Sequence, residues 1–154
     1  MKPQNRILLV EDSPRDAEMA LNALDSHRLR SEVVHVRDGA DALDYLFRRG
    51  EFAGRPEGQP ALVLLDLKLP KVDGLEVLRQ IKGDAALKVI PVVMMTSSRE
   101  DRDLLESYRL GVNAYVVKPL RFQDFIEAVK QVGGFWAVVN EVPPGSLRAA
   151  GAPA

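Results

Sequence analysis

Ile7-Leu8-Leu9-Val10, Ala61-Leu62-Val63-Leu64-Leu65, Pro91-Val92-Val93-Met94-Met95 and Ala114-Tyr115-Val116-Val117 are short apolar runs, separated by segments whose apolar residues recur at helical spacing. Runs of this length, apolar without alternation, predict strands buried on both faces. Ser31 to Val36 mixes Glu32 and His35 with valines, the pattern of an edge strand with one wetter side. Five strands alternating with helices predict an α/β fold: a doubly wound, five-stranded parallel sheet, joined by right-handed crossovers, in the order 2-1-3-4-5. In such a sheet ligands meet the carboxyl ends of the strands.

Helix signals fill the intervals. Ser13-Pro14 reads as an N-cap followed by proline at the first helical position. Ala17, Ala20, Leu21 and Leu24 then form an inward stripe. Asp38 with Asp41, Asp73 with Glu76 and Ser98 with Asp101 each set a capping side chain three residues before an acid. Leu43, Leu46 and Phe47 are expected inward from the second helix, and Leu75, Leu78 and Ile81 from the third. The fourth helix, about Arg99 to Arg109, is the most polar. The fifth carries Phe122, Phe125, Ile126, Val129 and Val132. Arg48 to Pro60, with its glycines and prolines, reads as an extended surface loop.

The chain's 154 residues suit one domain, assigned here to residues 1–139, with 140–154 an Ala-, Gly- and Pro-rich tail expected to be partly disordered. A net charge of −1 gives no general attraction to nucleic acid or to an anionic membrane. No apolar run is long enough to span a bilayer, and the polar start, Met1 to Asn5, offers no export signal. The absence of cysteine fits a reducing compartment. A cytoplasmic protein is the expectation.

The sheet would gather Glu11 and Asp12 from the first strand's end, Asp66 from the third, Thr96 from the fourth and Lys118 from the fifth. Each has an ordinary explanation taken singly, but their joint placement at four strand ends does not. Three carboxylates at one edge repel unless a hard cation sits among them, and Mg²⁺ suits oxygen ligands and phosphate. A carboxylate such as Asp66 can attack phosphorus to give an aspartyl phosphate. The Lys118 ammonium and the Thr96 hydroxyl would meet the charge on the transferred group.

Ile7 to Pro14 (ILLVEDSP), Val63 to Gly74 (VLLDLKLPKVDG), Pro91 to Ser97 (PVVMMTS) and Gly111 to Pro119 (GVNAYVVKP) resemble the motifs of response-regulator receiver domains, of flavodoxin-like fold. The resemblance spans roughly Arg6 to Val132. It implies Asp66 as phosphoacceptor, with Mg²⁺ held by Asp12, Asp66 and the Lys68 backbone carbonyl, and by Glu11 through water. It implies Thr96 and Tyr115 as switch residues, Lys118 as the phosphate-binding lysine, and a cis peptide between Lys118 and Pro119. Ser97 stands where many receivers have alanine, and Lys68 places a basic side chain beside the site. Both are expected to tune the lifetime of the phosphoryl group.

Ala42 to Gly50, the loop after it and Phe135 to Pro144 resemble single-domain regulators associated with bacterial phytochromes. That likeness implies a sensor histidine kinase as donor and signalling through contacts with a downstream protein, without an attached output domain. Phe125, Val129, Val132, Trp136 and Val139 share a stripe if the fifth helix continues through Gly133-Gly134. The stripe is read either as monomer core or as the face of a symmetric dimer. A pseudo-receiver scaffold, a phosphate sink and an aspartyl-phosphate phosphatase stand as alternatives, the last opposed by Lys68 where that chemistry needs a second aspartate. A flavin-nucleotide carrier shares the predicted sheet, but Glu11-Asp12 would repel its phosphate. His27 and His35 are given no function.

Overall fold

A computed structural model describes residues 6–25 and 33–147. The strands are β1 (Ile7–Val10), β2 (Val33–Val36), β3 (Leu62–Leu65), β4 (Val92–Thr96) and β5 (Ala114–Val117). The helices are α1 (Pro14–Asp25), α2 (Gly39–Phe47), α3 (Gly74–Gly83), α4 (Asp101–Arg109) and α5 (Phe122–Gly133). All pairings are parallel and the order is β2-β1-β3-β4-β5, as the alternation predicted.

The period of a strand splits each apolar run between two cores. Leu8, Val10, Val63, Leu65, Val92 and Met94 face α2 and α3, where they meet Leu43, Leu46, Val77, Leu78 and Ile81. Ile7, Leu9, Leu62, Leu64, Val93 and Met95 face α1 and α5, where they meet Met19, Ala20, Leu24, Phe125 and Val129. Burial on both faces makes the three central strands insensitive to which face a residue takes, so the runs show no polar alternation.

Several expectations are corrected. β5 is partly exposed along its whole length, because it lies at the sheet edge and the helix beside it, α4, buries only Ser107. α4 begins at Asp101, and Ser98 does not cap it: its hydroxyl donates to Asp103 at 2.6 Å and its Oγ accepts from the Glu100 N–H. Phe122 opens α5 ahead of the turns that pack on α1 and stays half exposed. The other caps hold: Asp38 accepts from the Asp41 N–H, Asp73 from Glu76 and Ser13 Oγ from Asp16. Ser31, Glu32, His27 and residues 148–154 lie outside the described residues.

The loop after α2 is tied down more firmly than its composition suggests. It contains a 3-10 turn (Gly50–Phe52), and Phe52 packs edge-on against Tyr45. The Arg55 guanidinium donates to the carbonyls of Tyr45, Leu46 and Gly58 and stacks 4.3 Å over the Tyr45 ring. It thereby adds donors at the end of α2, where the Tyr45 carbonyl also accepts from the Arg48 N–H.

α5 does continue past the paired glycines, as a π-helical stretch over Gly134–Val139. Phe125 is 3% and Val129 0% exposed, both in the core against α1, with Val132 and Trp136 packed around them. Phe125 and Val129 of the stripe are thus monomer core under α1, while Val132 and Trp136 are only partly buried and Val139 is 62% exposed. From the tail, Gly145 to Leu147 run beside Gln59: Gln59 donates to Gly145, and Leu147 donates to Gln59 while accepting from Arg6.

Candidate functional site

The carboxyl ends of β1, β3, β4 and β5 bring Glu11, Asp66, Thr96 and Lys118 together. Glu11 follows β1 directly; its N–H donates to Val36 and its carbonyl accepts a 2.8 Å bond from His35 Nε2. Its Oε2 accepts from the Ser13 N–H, which points the carboxylate back over the sheet. Asp66 continues the ladder through its N–H to Val10. Asp12 is exposed and faces a cleft of about 520 Å³ lined also by Lys68, Pro70, Asp73 and Asp103.

Lys118 organises the charges. Its Nζ donates to Glu11 Oε1 at 2.5 Å, Asp16 Oδ2 at 2.8 Å and Asp66 Oδ2 at 2.9 Å, and its side chain is only 10% exposed. Burial opposes the ammonium, but its hydrogen bonds to Asp16 and Glu11 and the charge of Asp66 outweigh it and raise its pKa. Glu11 is raised to about 7, first by burial and also by the Asp66 charge, with Lys118 acting against the rise. The carboxylates are thus held together at a cost that one lysine only partly offsets.

One ligand oxygen from each of Glu11, Asp12 and Asp66 lies within 4.8 Å of the others. Three hard oxygen donors so grouped, with one of them paying for its charge by a raised pKa, fit a divalent cation such as Mg²⁺.

The loops are shaped to leave this edge open. Gly74 starts α3 where a Cβ would come 2.1 Å from the Asp66 carbonyl oxygen, so any side chain there would displace the strand end that carries Asp66. Thr96 is buried, its Oγ1 accepting from the Ser98 N–H at 3.3 Å, while Ser97 is exposed. Tyr115 is half-buried against the α2/α3 core, and its hydroxyl donates to the Ser98 carbonyl at 3.1 Å, linking β5 to the loop after Thr96. Burial is the first cause of its raised pKa. The expected cis bond is absent: Lys118–Pro119 is trans. Trans is the lower-energy form by roughly 0.5–1 kcal/mol, and with it Lys118 already reaches its three acids.

Asp16 was not singled out from the sequence. A signal existed, since an acid four residues after Asp12, just inside a Ser-Pro helix start, falls on the first turn above the same sheet edge.

An acid cluster around a strand-end aspartate, with a lysine and a buried threonine at the neighbouring strand ends of a 2-1-3-4-5 parallel sheet, is the arrangement of a receiver domain. Residues 7–130 match the model of the response regulator receiver domain, and the chain belongs to that family of two-component signalling proteins. It is 40% identical over 141 residues to response regulator Rcp1 of Synechocystis, covering 92% of this chain and 95% of that protein. The Mn²⁺-bound structure of Rcp1 superposes with a TM-score of 0.84, covering 90% of this chain and 99% of that one. The phosphorylated cyanobacterial phytochrome response regulator RcpA is 41% identical with a TM-score of 0.85, covering 91% and 99%. The bacteriophytochrome response regulator RtBRR is 59% identical with a TM-score of 0.72, covering 95% and 87%. The chain is thus related to phytochrome response regulators. Among the described residues no helix is long and apolar enough to cross a membrane.

Proposed function

We propose that this receiver accepts a phosphoryl group on Asp66 from a phosphohistidine of a sensor histidine kinase, and that the kinase is a bacteriophytochrome. The observation that carries the reading is the Asp66 carboxylate, held 2.9 Å from Lys118 Nζ and grouped with Glu11 and Asp12. A carboxylate oxygen of Asp66 forms the new P–O bond as the P–N bond breaks, and the bonding pair leaves with the imidazole nitrogen. Lys118 transfers a donor to a phosphoryl oxygen, and the Thr96 hydroxyl donates to another. Glu11, Asp12 and Asp66, with the Lys68 carbonyl, are the groups that would hold Mg²⁺, which when bound neutralises charge on the phosphoryl oxygens.

Thr96 and Tyr115 would carry the change outward. The Tyr115 hydroxyl already bonds the loop that Thr96 starts, which supports coupling between the two. The signal would pass to a downstream protein, in the cytoplasm, and the chain would turn over only its own phosphoryl group. Any symmetric contact between copies is better served by exposed Leu105, Tyr108 and Phe122 on α4 and α5 than by the buried Phe125 and Val129. Sedimentation of phosphorylated and unphosphorylated protein, both monomeric, would remove that contact.

The test is labelling by acetyl phosphate or a phytochrome kinase, with Mg²⁺ present or chelated, in wild type and Asp66→Asn. Expected is base-labile label that needs Mg²⁺ and vanishes in the variant. A wild type that no donor labels refutes the phosphotransfer and leaves a scaffold.

A further inference from the structure

An ammonium has three N–H donors, and in this site all three are taken by carboxylates from three different elements. Two of those carboxylates have other work under the proposed function: Asp66 as nucleophile, and Glu11 as a member of the oxygen cluster. The third, Asp16, belongs to neither. It sits in the first turn of α1, where its own N–H donates to Ser13 Oγ at 3.2 Å and the next residue's N–H donates to the Ser13 carbonyl at 2.9 Å. Its backbone is therefore held by the helix cap, and its side chain reaches across the sheet edge to a lysine 102 residues away.

Lys118 needs such a tether. It follows the last residue of an edge strand, its stem is a flexible four-carbon chain with much rotamer freedom to lose, and a cleft of about 180 Å³ opens beside it. Arg15, Asp16, Ser97 and Pro119 line that cleft. When Glu11 and Asp66 turn to other partners, two of the three bonds that hold the ammonium are surrendered. Without a third, the side chain is free to swing into the cleft and away from Asp66.

We propose that Asp16 is a positioning residue for phosphotransfer, keeping one Lys118 donor bonded throughout so that the other two are presented to Asp66 and its phosphoryl group. The inference rests on Asp66 being the phosphoacceptor. It concerns hydrogen-bond anchoring, so an uncharged acceptor of the same shape should serve nearly as well.

The experiment measures the rate of Asp66 labelling by acetyl phosphate in wild type, Asp16→Ala and Asp16→Asn, together with the Mg²⁺ concentration for half-maximal rate. Asp16→Ala is expected to label about tenfold more slowly, while Asp16→Asn stays within about threefold of wild type. The half-maximal Mg²⁺ concentration should move by less than about threefold in both, since Asp16 lies outside the oxygen cluster. A second readout needs no phosphodonor: with saturating Mg²⁺, which draws Glu11 and Asp66 to the cation, the ¹⁵N-detected ammonium resonance of Lys118 should be protected from exchange in wild type and Asp16→Asn and lost in Asp16→Ala. Wild-type labelling in Asp16→Ala overturns the proposal, and equal slowing in both variants overturns anchoring by hydrogen bond. If wild type itself is not labelled, the phosphoacceptor reading fails, and the Lys118 resonance then decides the anchoring alone: its persistence in Asp16→Ala refutes it. Should Asp16→Ala not fold, an exchange-broadened Lys118 ammonium in wild type or Asp16→Asn refutes it likewise.

Discussion

Replacing Lys118 by methionine should destabilise the protein by an amount that depends on pH in a direction the site dictates. Glu11 titrates at about 7 against 4.5 for an ordinary glutamate. A carboxyl whose pKa is raised by folding costs nothing while protonated in both states, below about pH 4.5, and its full cost is felt above about pH 7. For this displacement the cost is about 3 kcal/mol. Lys118 holds it to that figure through a hydrogen bond and its charge. Lys118→Met removes both, so Glu11 rises further, and each further unit by which its pKa rises costs about 1.4 kcal/mol at alkaline pH. Asp66 also loses its partner at a site only 12% exposed. Removing one member of a buried ion pair costs about 3–5 kcal/mol. Asp16 is 27% exposed and regains water, which places the loss at the lower end, about 3–4 kcal/mol near pH 8. Near pH 5 Glu11 is largely protonated in both proteins and the loss should shrink to about 1–2 kcal/mol. Urea unfolding followed by the single tryptophan, Trp136, which packs against the α1/α5 core, measures both. Equal losses at the two pH values, or a variant more stable than wild type near pH 8, would refute the electrostatic account.

Gly74→Ala should cost about 3 kcal/mol, since the new Cβ meets backbone of Asp66 and Leu67, and Asp66 labelling should fall with it; a fully stable, labelled variant would show that the α3 start can shift. Arg55→Ala strips the carbonyls of Tyr45, Leu46 and Gly58 of a donor and should lower stability by about 2 kcal/mol, with labelling of Asp66 unchanged. Lys68→Ala and Ser97→Ala should each alter the decay rate of the phosphoprotein, read as loss of label after the donor is removed. Unchanged decay in both ends the idea that these positions set the lifetime.

Much of this protein was determined by its sequence alone. Periodicity supplied the five strands, their parallel order and most inward residues, because a strand buried on both faces must be apolar throughout and a crossover helix must be apolar on one side. The same pattern placed Glu11, Asp66, Thr96 and Lys118 at strand ends, where a polar residue breaks each run. Tertiary structure alone decided the rest. Whether Phe125 and Val129 belong to an interface or a core depends on what covers them, and α1 does, which no local pattern states. The exposure of β5 beneath an α4 that buries only Ser107, and the anchoring of the α2–β3 loop by Arg55, are settled only in the folded chain. So is the Asp16 contact, because a helix-start aspartate reads alike whether it faces water or a lysine 102 residues on, and only the folded sheet brings that lysine within 2.8 Å.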